Sequence, residues 1–142
     1  MQAGLAFGNA RVALVHAMAG PLATIFHLSH GYSNAVLLPD VMAFSAEACP
    51  EKYAEIARAM GEGVSSLTPA DAAQKAADSA RKLLKDLRVE SLREMGVTES
   101  DLEQKVEKMA EDAIAGGSPK FNPRKASKED IMEIYFKAYE GP

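Results

Sequence analysis

The sequence predicts an all-α protein, a helical bundle of about six to seven helices. No stretch alternates apolar and polar residues with the enrichment in Val, Ile, Thr and aromatic residues that is typical of strands. Ala, Leu, Met, Glu and Lys, which favour helices, are frequent instead. In addition, a Ser or Thr followed three positions later by Asp precedes several apolar stripes of helical spacing, as at capped helix starts.

The first predicted helix is RVALVHAMA, residues 11–19, and it is expected to break at Gly20-Pro21. Proline lacks a backbone donor and disfavours helical geometry in the residue before it, which is the reason for placing a break there. A buried helix is predicted next, over residues 31–44. Within it, Pro39 favours a kink or an early stop.

Two helices are predicted in the middle of the chain. The first covers residues 50–61, with Pro50 in its first turn and Gly61 at its end. Its inward face is predicted to consist of Tyr53, Ile56, Ala57 and Met60. The second is capped by Thr68 and runs to about residue 89. Its predicted inward residues are Ala72, Ala76, Ala80, Leu83, Leu84 and Leu87.

Two further helices are predicted towards the C-terminus. Thr98 caps the first, which ends at the Gly-Gly-Ser-Pro run of residues 116–119. Its apolar stripe is Leu102, Val106, Met109 and Ile114. After an extended connector over residues 120–126, Ser127 caps the last helix. The residues predicted to face inward there are Ile131, Ile134, Tyr135 and Ala138.

Composition limits the function classes. The 142 residues carry a net charge of −4, which argues against a nucleic-acid surface because phosphate binding needs clustered Lys and Arg. The apolar run of residues 12–18 is too short to cross a bilayer, so no membrane segment is expected. A single cysteine, Cys49, cannot form an internal disulfide, and a cytoplasmic location is predicted. No base is placed to activate Cys49, which is interpreted as a helix-start residue.

All three histidines lie in one stretch of low charge, residues 4–39. His16 precedes the predicted break, whereas His27 and His30 follow it, so the two segments can bring imidazoles together in space. Such an arrangement suits a metal site. The alternative, that each histidine is simply a core or cleft residue on an apolar helix face, stays open on spacing alone.

The same stretch resembles the signature of the iron-containing alcohol dehydrogenase family. The pattern GLAFxNAxxxxVHAMAxPL is followed by HG, fourteen residues after the first His, and then by NAxLLPxVM. The segments PEKYAEIARAMG, LREMGVTESDLEQKVEKMAEDA and EDIMEIYFKAY extend the resemblance to nearly the whole chain. The matched positions of the signature are Gly4, Leu5, Ala6, Phe7, Asn9, Ala10, Val15, His16, Ala17, Met18, Ala19, Pro21, Leu22, His30, Gly31, Asn34, Ala35, Leu37, Leu38, Pro39, Val41 and Met42.

The resemblance implies half of a metal site. The family holds Fe²⁺ or Zn²⁺ with an Asp and three His, and the last two of these histidines match His16 and His30. The Asp and the first His belong to an upstream DxxxH helix that has no counterpart here, and the nucleotide-binding domain that binds NAD(P) is also absent. A further family histidine, which stands near the substrate, falls on Gly20, so no catalytic residue is assigned. His27 is a candidate third metal ligand if it shares a helix with His30.

Three functional interpretations follow for a single helical domain over residues 1–142, with a metal-site segment at 4–44 and supporting helices at 50–140. In the first, the chain is the metal-site part of an NAD(P)-dependent alcohol dehydrogenase and is inactive in isolation. In the second, it is a non-catalytic module that docks a missing N-terminal domain or subunit. In the third, it forms a homo-oligomer through an uncovered apolar face, consisting of Leu5, Phe7, Val12 and Val15.

Overall fold

Seven α-helices and one short 3₁₀ turn occur among residues 1–141. The computed structural model describes residues 1–141, apart from the side chain of Ala3. Within that range no strand occurs, and the predicted all-α class is confirmed. The helices are α1 (Gln2–Ala10), α2 (Leu14–Phe26), α3 (His30–Ala46), α4 (Pro50–Ala59), α5 (Pro69–Asp86), α6 (Glu99–Ala115) and α7 (Lys128–Glu140), and the 3₁₀ turn is Ser118–Phe121.

The main core lies where α2, α3, α6 and α7 meet. It also takes in Leu92 and Val97, from the connection between α5 and α6. A second, smaller cluster joins α4 to α5 and is built mainly from alanines, with Met42 of α3 and Tyr53 packed against it. The helix that carries His16 therefore packs within the larger core. The largest fully buried side chains of the main core include Leu14, Met18, Leu22, Leu37, Leu102, Met109, Ile131 and Tyr135.

Neither internal proline interrupts its helix. Pro21 lies inside α2, so the break predicted at Gly20-Pro21 is wrong, and Pro39 lies inside α3 without ending it. A proline removes one helical hydrogen bond. In α2 the buried residues Leu14, Met18 and Leu22 lie on both sides of Gly20, and we attribute the continuity of the helix to their packing. The chain reverses instead at residues 27–29.

Several large apolar side chains predicted to face inward are exposed. In α5 the buried face consists of five alanines and Leu84, whereas Leu83 and Leu87 are 52% and 64% exposed. These alanines allow α4 and α3 to approach α5 closely, so the longer side chains of α5 lie at the edge of the contact. The predictions for Ile56, Met60 and Ile114 are wrong for the same kind of reason, because smaller neighbours occupy the packed face.

The helix α1 was not predicted, because its small residues gave no clear stripe. Among the described residues it has few contacts with the other α-helices, and Leu5 and Phe7 are each 60% exposed. The end of α5 also differs: it stops at Asp86, since Arg88 adopts positive φ and the Val89 N–H bonds to the Leu84 carbonyl.

The structure of the C-terminal part agrees best with the prediction from the sequence. Thr98 and Ser127 cap α6 and α7 as predicted, and all four predicted inward residues of α7 are buried. The connector is less extended than expected, because the 3₁₀ turn includes its first two residues. No helix among residues 1–141 combines the length and the apolar character needed to cross a bilayer.

Candidate metal centre

The structure brings His16 and His30 into direct contact. Their Nε2 atoms lie 3.1 Å apart, and the ring centroids lie 4.7 Å apart with the planes inclined at 72°. His16 stands in the first turn of α2 and His30 is the first residue of α3, so the pair joins the starts of two neighbouring helices. Both residues are exposed, which leaves the pair accessible from outside.

The turn between α2 and α3 explains how His30 reaches this position. His27 ends α2 in the left-handed conformation, with φ 55°, and the Leu28 N–H bonds to the Ala23 carbonyl. Ser29 then caps α3, because its hydroxyl accepts from the Tyr32 N–H at 3.3 Å. Three residues thus end one helix and begin the next, and they direct the chain back so that His30 meets His16.

His27 does not join the pair. It is exposed and forms the C-cap of α2, so it does not share a helix with His30, as its candidacy required. Within residues 1–141, no group of three or more His, Cys, Asp or Glu side chains is arranged to hold a metal ion. His27 as a ligand stays a prediction without geometric support.

Asn34 contacts the pair through His30. Its Nδ2 donates to the His30 carbonyl oxygen at 2.8 Å and lies 3.1 Å from His30 Nε2. Its Oδ1 is buried and finds no donor in the described part of the chain. The matched signature included Asn34, and the i, i+4 spacing to His30 was the available signal for this contact. Its partner atoms could not be read from the sequence.

Gly20 leaves open space one turn from His16. A Cβ at this position would meet no atom within 4 Å, so a side chain could be accommodated. Residues four apart on a helix share a face, and a larger residue at position 20 would therefore stand beside the histidine pair. The chain carries no proton-transferring group there.

Asp40 belongs to a different part of the surface. Its carboxylate accepts from Arg81 at 2.7 Å and connects α3 to α5. The pair borders a cavity of about 300 Å³ between α3, α5 and α7, in which Arg124 and Lys137 are also paired with acidic side chains. Asp40 therefore lies at the edge of this cavity, where its carboxylate is paired with Arg81.

The spacing of the two ring nitrogens fits a shared metal ion. Metal to nitrogen distances of about 2.0–2.1 Å place two ligands of one ion roughly 2.8–3.4 Å apart at angles between about 90° and 110°. The observed 3.1 Å lies in that range. Neutral imidazole nitrogens are also common ligands of iron and zinc. The residues present therefore fit half of a divalent metal site.

Residues 1–139 match the model of the Fe-containing alcohol dehydrogenase family, C-terminal. The chain belongs to this family. The fold and the histidine pair are consistent with the assignment, and the resemblance seen in the sequence is confirmed over nearly the whole chain.

Relatives in this family are considerably longer. The chain is 41% identical to the 1,3-propanediol dehydrogenase of Klebsiella pneumoniae over 138 residues, covering 96% of this chain and 35% of the relative. It is 38% identical to the lactaldehyde reductase of Escherichia coli (strain K12), with the same coverage of both proteins. The chain thus spans about a third of the length of the curated relatives it matches.

Solved structures support the same assignment. The crystal structure of a 1,3-propanediol oxidoreductase superposes with a TM-score of 0.89 at 41% identity, over 96% of this chain and 35% of that one. An alcohol dehydrogenase from Oenococcus oeni gives a TM-score of 0.90 at 38% identity, over 98% and 36%. The bundle described above is therefore shared with longer alcohol dehydrogenases.

Proposed function

We propose that this chain supplies one half of the divalent metal site of an NAD(P)-dependent alcohol dehydrogenase that interconverts an alcohol and an aldehyde or ketone. His16 and His30 would hold the ion, Fe²⁺ or Zn²⁺, and the remaining ligands and the nucleotide site would come from outside this polypeptide. The observation that carries the proposal is the 3.1 Å contact between the two Nε2 atoms. Membership of the family supplies the reaction class.

The division of chemistry follows from the groups present. A bound divalent ion would act as a Lewis acid towards the substrate oxygen. The chain's own contribution is to hold two imidazoles at a fixed separation on packed helices. Because Gly20 offers no group for proton transfer beside the pair, the hydroxyl proton would need another route. The isolated chain is therefore expected to show no turnover.

A reconstitution experiment tests this proposal. The chain is mixed with a second polypeptide. This polypeptide is the part of the Klebsiella pneumoniae 1,3-propanediol dehydrogenase that does not align with the present chain. Aldehyde reduction with NADH and with NADPH is then measured for the chain alone and for the mixture. We expect no activity from the chain alone, and metal-dependent activity from the mixture that His16→Ala removes and His27→Ala leaves intact.

Two outcomes would contradict the proposal. One is turnover by the isolated chain, since that would show that this polypeptide already contains a complete site. The other is activity of the mixture that does not depend on His16. A stable complex without activity would favour the second function, a non-catalytic docking module.

The exposed face of α1 favours that second function. Leu5 and Phe7 are both 60% exposed on a helix that has few contacts with the other described helices, and Phe121 beside it is 42% exposed. Exposed apolar surfaces of this kind usually contact another protein. We propose the N-terminal part of a longer relative as the occupant, because the matched relatives are about three times as long as this chain. Self-association is the alternative, and sedimentation of the chain alone would distinguish the two.

A further inference from the structure

We propose that the pocket between α1 and the 3₁₀ turn (hereafter the α1 pocket) binds an acidic segment of the docking partner. An apolar side chain of that segment fills the pocket, and a carboxylate of the same segment pairs with Arg11. The inference rests on the proposed docking function, to which it adds the chemistry by which the partner is recognised.

The α1 pocket is open to solvent and, apart from Arg11, uncharged. Its lining comes from the end of α1, the two residues after it and the 3₁₀ turn: Phe7, Gly8, Arg11, Val12, Ser118 and Phe121. The volume of about 390 Å³ lies within the range of about 300–1,000 Å³ that is usual for binding pockets. Phe7 is 60% exposed, so its ring is available to a partner.

Two cations lie against the Phe121 ring without a carboxylate to pair with. The guanidinium carbon of Arg11 is 5.3 Å from the ring centroid, and the ammonium nitrogen of Lys120 is 5.0 Å from it. Neither side chain forms an ion pair with a carboxylate of residues 1–141, whereas Arg81 and Arg124 do. An aromatic face attracts a cation but does not neutralise its charge. The α1 pocket is therefore positive, although the net charge of the chain is −4.

Arg11 also stands alone in the sequence around it. It is the only Asp, Glu, Lys or Arg among residues 1–39, and the first acidic residue of the chain is Asp40. No neighbour in the sequence can therefore compete for the guanidinium. A carboxylate from another polypeptide would find an unpaired cation beside an apolar pocket, which is complementary to an acidic segment with an apolar side chain.

The backbone of Arg11 is strained. Its φ of 63° and ψ of 175° form a combination that is essentially restricted to glycine. The Arg11 N–H bonds to the Phe7 carbonyl at 2.9 Å and ends α1 in this conformation. Strain of this kind clusters at binding and catalytic sites. Because glycine would adopt the same conformation freely, a function of the guanidinium outside the fold accounts for an arginine at this position.

A polypeptide fits this surface better than a small organic anion does. Leu5 is 60% exposed on α1 and does not line the α1 pocket, so the apolar surface extends beyond the pocket. A small carboxylate could pair with Arg11 but would leave Leu5 in water, whereas a segment of chain covers both. Since this chain covers 35% of the Klebsiella pneumoniae relative, roughly two-thirds of that relative remains to supply the segment.

Isothermal titration calorimetry tests the proposal. The unmodified chain is titrated with the polypeptide used for reconstitution, and we expect a complex whose affinity falls with rising salt concentration, because salt screens the charge pair. Arg11→Gly should weaken binding about two- to fivefold and reduce the salt dependence. Phe7→Ser should weaken binding about tenfold or more, since it removes the apolar contact. Circular dichroism checks that each variant is folded, and if Phe7→Ser is not, Arg11→Gly decides alone.

Arg11→Gly also separates recognition from folding. It relieves the strain at φ 63°, so the thermal unfolding midpoint of the isolated chain should rise while binding weakens. Arg88→Gly is the matched control, because Arg88 is exposed, has a positive φ of 55° and does not line the α1 pocket. Leu87→Ser, at a side chain that is 64% exposed, is the control for Phe7→Ser. Neither control should change the affinity.

The inference is overturned, with the docking function intact, if neither Arg11→Gly nor Phe7→Ser changes the affinity. Equal weakening by Arg88→Gly would also overturn it, since the loss would then reflect net charge. A lower unfolding midpoint for Arg11→Gly would show that Arg11 serves the fold itself and not a partner. Absence of any complex would overturn the docking function and the inference together. Self-association of the chain that Phe7→Ser abolishes, seen by sedimentation, would assign the pocket to a second copy instead.

Discussion

The hydroxyl of Tyr135 donates to the backbone carbonyl of Met18 at 2.7 Å, so the last helix is joined directly to the helix that carries His16. Tyr135 is fully buried, and burial raises the pKa of its phenol, with a smaller contribution from Asp112. The hydroxyl therefore stays protonated and remains a donor. This hydrogen bond holds the position of α2 two residues beyond the candidate ligand.

Removing this hydroxyl should lower stability. Tyr135→Phe keeps the packed ring but deletes the donor, and a net loss of about 1 kcal/mol in the free energy of unfolding is expected. Urea denaturation measures it. An unchanged midpoint would show that the bond contributes nothing to stability.

Gly20 should tolerate a side chain with a gain in stability. A Cβ there meets open space inside α2, and glycine in a helix interior is less favourable than alanine by about 0.5–1 kcal/mol. Gly20→Ala should therefore raise the free energy of unfolding, but by less than that amount, because Pro21 crowds the Cβ of the residue before it. The control is Gly117→Ala, where φ is +72° and alanine should destabilise. Equal effects in the same direction would contradict the backbone assignment.

The N-caps should each contribute measurably. The Thr98 hydroxyl accepts from the Asp101 N–H at 3.1 Å, and the Ser127 hydroxyl accepts from the Asp130 N–H at the same distance. Replacing either cap by Ala should cost about 1 kcal/mol. Thermal unfolding of the two variants checks this, and a Gly variant at each position should lose less.

Stability should fall in acid through the same caps. A hydrogen bond from the Ser127 N–H lowers the pKa of Asp130, and one from the Thr98 hydroxyl lowers that of Asp101. A depressed folded pKa stabilises the fold above the unfolded value, about 3.9 for Asp, and this contribution is lost as pH falls through the folded pKa. Asp130→Asn should flatten the stability profile below about pH 4. A profile with unaltered slope there would contradict the capping box.

The sequence predicted the C-terminal half well because its signals were local. A Ser or Thr, an Asp three residues later and an apolar stripe describe α7 completely. The prolines of α2 and α3 made the predicted helix ends wrong. The tendency of a proline to end a helix is local, and it does not include the packing of Leu14, Met18 and Leu22 that we infer keeps α2 continuous through Pro21. In the alanine-rich helices, the residues that face inward depend on which neighbouring helix packs closest. The spacing of apolar residues along the sequence does not contain that information.

Sequence information pointed to some residues of the candidate site but not to their contacts. The matched signature identified His16 and His30, and the structure places their Nε2 atoms together. His27 ends α2 in the left-handed conformation, so it does not share a helix with His30. The sequence carries no clear signal for a positive φ angle in a residue other than glycine. The atoms that Asn34 contacts required coordinates.

Metal binding by the isolated chain tests the central claim most directly. Co²⁺ titration with NMR detection of the histidine rings should show one weak site. His16→Ala and His30→Ala should each abolish it, since a single imidazole remains, whereas the exposed control His27→Ala should bind as the unmodified chain does. Binding that survives the loss of His16, or that is lost with His27, would contradict the assignment of His16 and His30 as half of a metal site.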